Sequence, residues 1–148
     1  MADVHDVAAY IVSRLGNMST MKLQKLCYYS QGWHLAWEGK PLFRARIEAW
    51  RLGPVVRELY AYHRLEASVD VWEKGDASQL SHTERSVIDD VLAAYKNMSG
   101  LQLSELTHQE EPWLKARGSS HPGASSNQEV KISDMEAHFR ALAQESRA

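Results

Sequence analysis

The chain has 148 residues, of which 44% are hydrophobic, and this is enough apolar material for the core of one domain spanning residues 1–148. With 17 basic and 19 acidic residues its formal net charge is −2, so overall charge gives no argument for nucleic acid. One cysteine excludes an internal disulfide, and no stretch is apolar for the roughly 18–20 residues that a membrane span needs. We therefore expect a cytoplasmic protein with no membrane partner.

Helical periodicity predicts two helices before residue 40. In the first, which Asp3 is placed to cap, apolar residues recur at helical spacing as far as Leu15. The second begins at Ser19–Thr20 and ends near Gly39, because glycine suits a left-handed C-cap. The face expected to be buried in the second helix is formed by Leu23, Leu26, Cys27, Ser30, Trp33 and Trp37. The polar residues that fall mostly on other faces are Lys22, Gln24, Lys25 and Gln31.

A pattern of period two follows the second helix. Residues 45–50 alternate between aliphatic and charged or aromatic side chains, which predicts a short strand. Gly53 supplies a turn, and Pro54 is well placed at the first position of a third helix that runs to about Leu65. Residues 68–72 also alternate and predict a second short strand, which we expect to pair with the first.

Capping signals predict the remaining helices. Ser81 and Glu84 form a capping box for a helix that stops before Gly100, where a shorter helix begins, and Pro112 starts another turn. Residues 117–130 are rich in serine and glycine and are predicted to be a flexible linker before a C-terminal helix. The predicted fold is mainly α: a compact domain of about six helices with a small two- or three-stranded β element.

The seven histidines do not form a metal-binding pattern. The nearest group, His108 with Glu110 and Glu111, is better explained by hydrogen bonding at a helix break, since zinc needs three or four convergent ligands. Cys27 and His34 are two helical turns apart, too far for a direct bond, and no phosphate-binding glycine loop is present. We expect no metal, no cofactor and no enzymatic activity.

DNA binding is the alternative from another class of function. A helix, a turn and a helix with a short hairpin are compatible with a winged helix, and the segment from Lys22 to Arg64 has a basic bias. However, the second and third helices are joined by a segment that is too long for the usual tight turn. A transcriptional regulator is less favoured but stays open, and salt-dependent binding to its own promoter would identify it.

Aromatic residues between positions 28 and 60 form a candidate partner surface, because Tyr and Trp are favoured interface anchors. Tyr28 and Tyr29 point about 100° apart on a helix, so we expect them to be unequally buried. One of them, together with Trp50, is expected to line a groove. The alternative is that these rings form the core and hydrogen-bond their polar tips.

Three strings occur along the chain in a distinctive order: KLQKLCYYSQGWHLAWEGKPLF (22–43), IEAWRLGPVVRELY (47–60) and SELTHQEEPW (104–113). Together they resemble the Panacea domain, a family that includes SocA-type antitoxins and the phage-associated proteins called GepA. The resemblance covers most of the chain and includes the last helix. It raises several motif positions as candidates for partner binding. With the aromatic residues above, the candidates are Tyr28, Tyr29, Trp33, Glu48, Trp50, Arg51, Pro54, Tyr60, His108 and Trp113.

This resemblance implies a protein of a bacterial toxin–antitoxin system that neutralises a cognate protein toxin by direct binding. For some members it also implies an adaptor role, in which the toxin is presented to a protease. A phage-associated role without a toxin is a further alternative.

Overall fold

The computed structural model describes residues 1–121 and 123–145, and within them the chain forms seven α-helices, one short 3-10 helix and four short strands. In chain order these are α1 (Val4–Leu15), β1 (Met18–Ser19), α2 (Thr20–Glu38), β2 (Ile47–Trp50), β3 (Gly53–Val56), α3 (Arg57–His63), β4 (Ser68–Val69), the 3-10 helix (Ala77–Gln79), α4 (His82–Tyr95), α5 (Gly100–Thr107), α6 (Glu111–Arg117) and α7 (Ile132–Glu145). The predicted mainly α fold with a small β element is confirmed, with seven α-helices in place of about six.

Helix α2 lies at the centre of the domain and packs against α1, α4, α5, α7 and β3. Its caps are as predicted: the Ser19 hydroxyl accepts a hydrogen bond from the backbone N–H of Lys22, and Gly39 ends the helix in the left-handed conformation. Because neighbours surround the helix, its polar side chains are buried together with its apolar ones. The buried polar residues on the faces that were expected to lie outside are Gln24, Lys25 and Gln31.

The two buried glutamines of α2 serve as hydrogen-bond partners for nearby backbone. Gln31 accepts from the N–H of Leu42 at 2.7 Å and donates to the carbonyl of Phe43 at 2.8 Å. Gln24 accepts from the N–H of Val56 at 2.8 Å and donates to its carbonyl at 3.2 Å. These bonds attach two non-helical segments to α2 and satisfy backbone groups that would be costly to bury unpaired.

Strands β2 and β3 form an antiparallel hairpin. The prediction that Pro54 begins a helix is wrong, because Pro54 lies in β3 and α3 begins only at Arg57. Pro54 is opposite Ala49, whose N–H points away from the hairpin and donates to the carbonyl of Gln128 at 2.8 Å. The pair therefore exchanges no ladder hydrogen bonds, and a residue without an N–H is tolerated there.

The second predicted strand is shorter than expected and pairs with a different partner. β4 is antiparallel to β1, with Met18 opposite Val69, so the predicted pairing with residues 45–50 is wrong. A backbone bond of 3.0 Å from the N–H of Thr20 to the carbonyl of Ala67 extends this contact. The four described strands form two separate two-stranded sheets, and isolated bridges join Ala2 to Phe43 and Glu48 to Glu129.

The segment predicted to be a linker, residues 117–130, runs beside β2 in its last part. The N–H of Val130 donates to the carbonyl of Ile47 at 2.8 Å, next to the bond between Ala49 and Gln128. Pro122 of this segment lies outside the described residues. The mobility of the segment stays a prediction.

Helix α7 follows this segment and packs along α2. The ring of Phe139 is fully buried and lies against Trp33, with 5.3 Å between ring centroids. Gly32 makes room for it, since a Cβ at that position would overlap the Phe139 ring. The close approach of the two helices therefore depends on a glycine facing a phenylalanine.

Candidate functional site

A pocket of about 660 Å³ opens between the start of α2, the β2–β3 hairpin and α3, and we call it the Lys25 pocket. Its apolar lining residues are Met21, Trp50, Leu52, Val55 and Tyr60. Its polar lining residues are Thr20, Gln24, Lys25, Arg51, His63 and residues 125–127. This volume lies within the range of natural ligand sites, roughly 300–1,000 Å³. Among the described lining residues none is acidic, so the local charge favours an anionic occupant.

Three of the predicted partner-binding residues meet at the mouth of this pocket. The half-buried ring of Trp50 meets the ring of Tyr60 edge-on, with 4.7 Å between centroids. Tyr60 keeps 37% of its surface exposed, and Arg51 is exposed beside them. The structure thus joins two aromatic side chains and a guanidinium group on one accessible surface.

Glu48 holds Trp50 in this position. Its carboxylate is 3% exposed and accepts hydrogen bonds from the indole N–H of Trp50 at 2.8 Å and from Arg46 at 3.0 Å, with Arg57 at 3.4 Å. Burial alone would raise the pKa of Glu48, but the hydrogen bonds from Trp50 and Arg46 and the charges of the arginines outweigh it and lower this pKa. Glu48 is thus a support for the aromatic wall and does not line the pocket.

Replacing Glu48 with glutamine is expected to lower the free energy of unfolding at pH 7 by about 2 kcal/mol, since bonds between charged groups are lost. Because the folded pKa is lowered, the contribution of Glu48 is present above its unfolded pKa and is lost as pH falls through the folded value. The measurement is chemical denaturation between pH 3 and pH 7. Glu73→Gln, at an exposed carboxylate, is the matched control. A difference between wild type and Glu48→Gln that does not shrink with acidification would contradict the assignment.

Lys25 is the unusual residue of the pocket, with only 2% of its surface exposed. Its stem packs over Gly53, where an added Cβ would lie 2.8 Å from Lys25 Cε, and Gly53 also has a positive φ of 116°. Burial lowers the pKa of Lys25 to about 8, and within residues 1–121 and 123–145 its ammonium group has no ion pair. At neutral pH the pocket therefore contains a buried cation without a counter-ion.

Gln24 and His63 line the same pocket as Lys25. Because the Gln24 carbonyl oxygen is used by Val56, its amide nitrogen donates to His63 Nε2 at 2.9 Å, which leaves the proton of a neutral His63 on Nδ1. That buried Nδ1 has no hydrogen-bond partner in the described structure. Burial lowers the pKa of His63, and the charge of Lys25 contributes to this shift.

Trp113 and His108 lie behind the pocket and support the end of β2. The indole N–H of Trp113 donates to the carbonyl of Trp50 at 2.8 Å. The His108 ring lies 4.4 Å from the Trp113 ring, and the Arg117 guanidinium group lies 4.8 Å above that ring. Trp113 is 4% exposed, so these residues position Trp50 from inside the domain.

The other aromatic candidates belong to the core. The expectation that Tyr28 and Tyr29 are unequally buried is wrong, because helices on both sides of α2 bury each of them fully. Tyr29 donates to the buried carboxylate of Glu110 at 3.0 Å and stacks on Tyr95. Trp33 is half-buried and donates to the Tyr95 hydroxyl at 3.0 Å. Tyr28 and Tyr29 offer no surface to a partner in this conformation, and neither lines the Lys25 pocket.

Sequence reasoning missed the polar interior of the pocket, namely Gln24, Lys25 and His63. Gln24 and Lys25 were expected on outer faces of α2, and they are buried only because the β2–β3 hairpin lies over them. The one available signal was Gly53, a glycine whose positive φ and missing Cβ leave space for the Lys25 stem.

A model of the family described as "Antitoxin SocA-like, Panacea domain" matches residues 23–114, which is more than half of the chain. The chain belongs to the Panacea domain family. No curated protein and no solved structure matches it.

In this Panacea domain the matched range contains Lys25, Trp50, Arg51, Tyr60 and His63, whereas α1, α7 and the segment 125–127 lie outside it. None of the helices in the described part of the chain has the length and apolar content of a membrane span. Among the same residues, no three His, Cys, Asp or Glu side chains converge in the way that a metal ion requires.

Proposed function

We propose that this Panacea domain is an antitoxin that neutralises a cognate protein toxin by binding it directly. Membership of the family supports an antitoxin-like role and a protein partner. The observation that carries the proposal is the accessible surface of Trp50, Arg51 and Tyr60 beside the Lys25 pocket. Trp, Tyr and Arg are the residues that most often supply binding energy at protein interfaces.

Alanine substitution of Trp50 or Arg51 is expected to weaken toxin neutralisation more than folding. Loss of one interface anchor costs about 2 kcal/mol, which corresponds to an affinity roughly 30-fold lower. The measurement is growth of a host that expresses the candidate toxin from the neighbouring open reading frame together with each variant. Affinity is then measured with the purified pair.

Trp37→Ala is the matched control, because Trp37 is a 41% exposed tryptophan at the other end of α2. It is expected to neutralise the toxin as wild type does. Arg51→Ala tests the same surface without removing a packed ring, because the Arg51 side chain is exposed. It therefore keeps the test valid if Trp50→Ala unfolds the hairpin. Unfolding of both variants at room temperature, or full neutralisation by both, would contradict the proposed surface.

We also propose that the bound toxin is presented to a protease, which is the role that the family resemblance implies for some members. Masking alone leaves the toxin lifetime unchanged, whereas delivery shortens it when this chain is present. Pulse-chase measurement of the toxin, in hosts with and without individual proteases, separates the two. A toxin that is neutralised yet equally long-lived would reject the adaptor role and leave masking intact.

The DNA-binding alternative has less support from the side chains that suggested it. Lys25 is buried, and both Arg46 and Arg57 are paired with the carboxylate of Glu48. If co-expression reveals no toxin, salt-dependent binding to the promoter of this gene is the next measurement. A negative result there would favour the phage-associated role without a toxin.

A further inference from the structure

The starting observation is the buried ammonium group of Lys25, which lines a pocket and has no counter-ion among the described residues. Moving an ion out of water is costly unless a partner charge and hydrogen bonds compensate for it. The buried carboxylates of Glu48 and Glu110, by contrast, lie beside groups that can balance their charge: Arg46 and Arg57 for Glu48, and His138 for Glu110. A lysine that is buried without such a partner indicates that the partner charge comes from a bound molecule.

The rest of the lining restricts the chemistry of that molecule. His63 Nδ1 is a buried group with no hydrogen-bond partner in the described structure, and Arg51 adds a second cation at the mouth. Only one ammonium group is buried, whereas the walls are formed largely by Trp50, Tyr60 and aliphatic side chains. This combination fits a single negative charge on an apolar body better than a phosphate, which usually needs several convergent donors.

We propose that the Lys25 pocket binds a carboxylate attached to an apolar group, with Lys25 as its counter-ion and with Trp50 and Tyr60 packed against the apolar part. The carboxylate has two possible sources with the same chemistry: a free organic acid, or the C-terminal residue of a polypeptide. If the carboxylate is the C-terminus of a polypeptide, the inference rests on the proposed antitoxin function. If it is a free organic acid, the inference is independent of that function.

The direct test is NMR titration of the full chain with its lysine side chains labelled at Cε. The first probe is 3-phenylpropanoate, and its primary amide is the uncharged control. The acid is expected to bind at least tenfold more tightly than the amide. It is also expected to raise the pKa of Lys25 by one unit or more, which corresponds to tenfold tighter binding of the acid to the charged than to the neutral form of Lys25. A purely structural lysine would show neither effect.

Two variants make the test specific to this side chain. Lys25→Met keeps the length of the side chain without its charge and is expected to lower the affinity for the acid at least tenfold. Lys115→Met makes the same change at an exposed position of α6 and is expected to bind the acid as wild type does. Equal affinity of wild type for acid and amide, or unchanged acid binding by Lys25→Met, would overturn the proposal.

A second pair of probes identifies the source of the carboxylate. N-acetyl-Gly-Gly-Phe with a free carboxyl group is compared with the same peptide as its amide, and Lys25→Met is tested for neutralisation of the toxin. Carboxylate-dependent peptide binding together with lost neutralisation assigns the group to the partner protein. Carboxylate-dependent binding of 3-phenylpropanoate with full neutralisation assigns it to a free acid. If neither carboxylate probe binds, the inference fails, and the antitoxin proposal is still judged by the Trp50 and Arg51 variants.

Discussion

Replacing Lys25 with methionine is expected to raise the free energy of unfolding at pH 7 by about 3 kcal/mol. Burial lowers the pKa of Lys25 from 10.5 to about 8. Each pKa unit corresponds to a free-energy cost of about 1.4 kcal/mol for keeping the charged ammonium group in the folded state. Methionine has a similar length, no charge and a flexible side chain that fits existing space, so the cost is removed without leaving a large cavity.

The size of this gain depends on pH in a defined direction. Between about pH 8 and pH 10.5 the unfolded chain binds more protons at Lys25 than the folded chain, so the stability of wild type rises with pH. Above 10.5 the amine is neutral in both states and the advantage of methionine largely disappears. The stability difference between Lys25→Met and wild type is measured by chemical denaturation from pH 7 to pH 11, with Lys115→Met as the control. A Lys25→Met protein that is less stable than wild type at pH 7 would contradict the unpaired buried charge.

The Lys25→Met variant therefore separates stability from function. A residue retained only for packing loses stability when it is changed, whereas a residue retained for binding at a cost to the fold gains stability and loses the ligand. The expected outcome here is a protein that is more stable and yet binds carboxylates poorly.

Truncation of Phe139 to alanine is expected to lower the free energy of unfolding by about 3–5 kcal/mol, the range for removing a buried aromatic ring. The ring is fully buried, and it meets the rings of Tyr28 and Trp33 at centroid distances of 5.9 and 5.3 Å. The measurement is chemical denaturation of Phe139→Ala. Leu101→Ala, which truncates a side chain that is 61% exposed, is the control. A change below about 1 kcal/mol for Phe139→Ala would show that α7 does not pack on α2 as described.

A double-mutant cycle between Gly32 and Phe139 tests the contact itself. In wild type, Gly32→Ala is expected to destabilise by about 1–3 kcal/mol, because its Cβ overlaps the Phe139 ring. In the Phe139→Ala background the same change has room and is expected to stabilise the helix by up to about 1 kcal/mol, which is the propensity difference between the residues. Simple additivity of the two substitutions would contradict the close helix approach.

Features that depend on neighbours in sequence were predictable. The Ser19 cap, the left-handed Gly39 and the capping box of Ser81 with Glu84 all occur as predicted. Each of them is decided within about four residues, where hydroxyl and carboxylate groups satisfy the free N–H groups of a helix end. Residue type alone also identified Trp50 and Tyr60 as candidates, because tryptophan and tyrosine are favoured at binding surfaces.

Features that depend on distant segments were not predictable in the same way. Proline suits the first position of a helix, but Pro54 pairs with Ala49 in the hairpin and therefore lies in a strand. The burial of both Tyr28 and Tyr29 follows from helices packed on opposite sides of α2, which periodicity within α2 does not reveal. Lys25 has the residue type of a surface position, and only the hairpin above it makes it part of a site.

The hydrogen bonds at the two outer edges of the β2–β3 hairpin restrict how another protein can bind it. Along β2, the outward N–H of Ala49 and the outward carbonyl of Ile47 are bonded to Gln128 and Val130. Along β3, Pro54 has no N–H to offer, and both backbone groups of Val56 are bonded to the Gln24 side chain. A foreign strand therefore finds these backbone groups occupied and cannot extend the sheet without displacing part of this chain. A partner that bound at this hairpin would therefore be recognised mainly through side chains, and its selectivity could change by substitution while the backbone stays as it is.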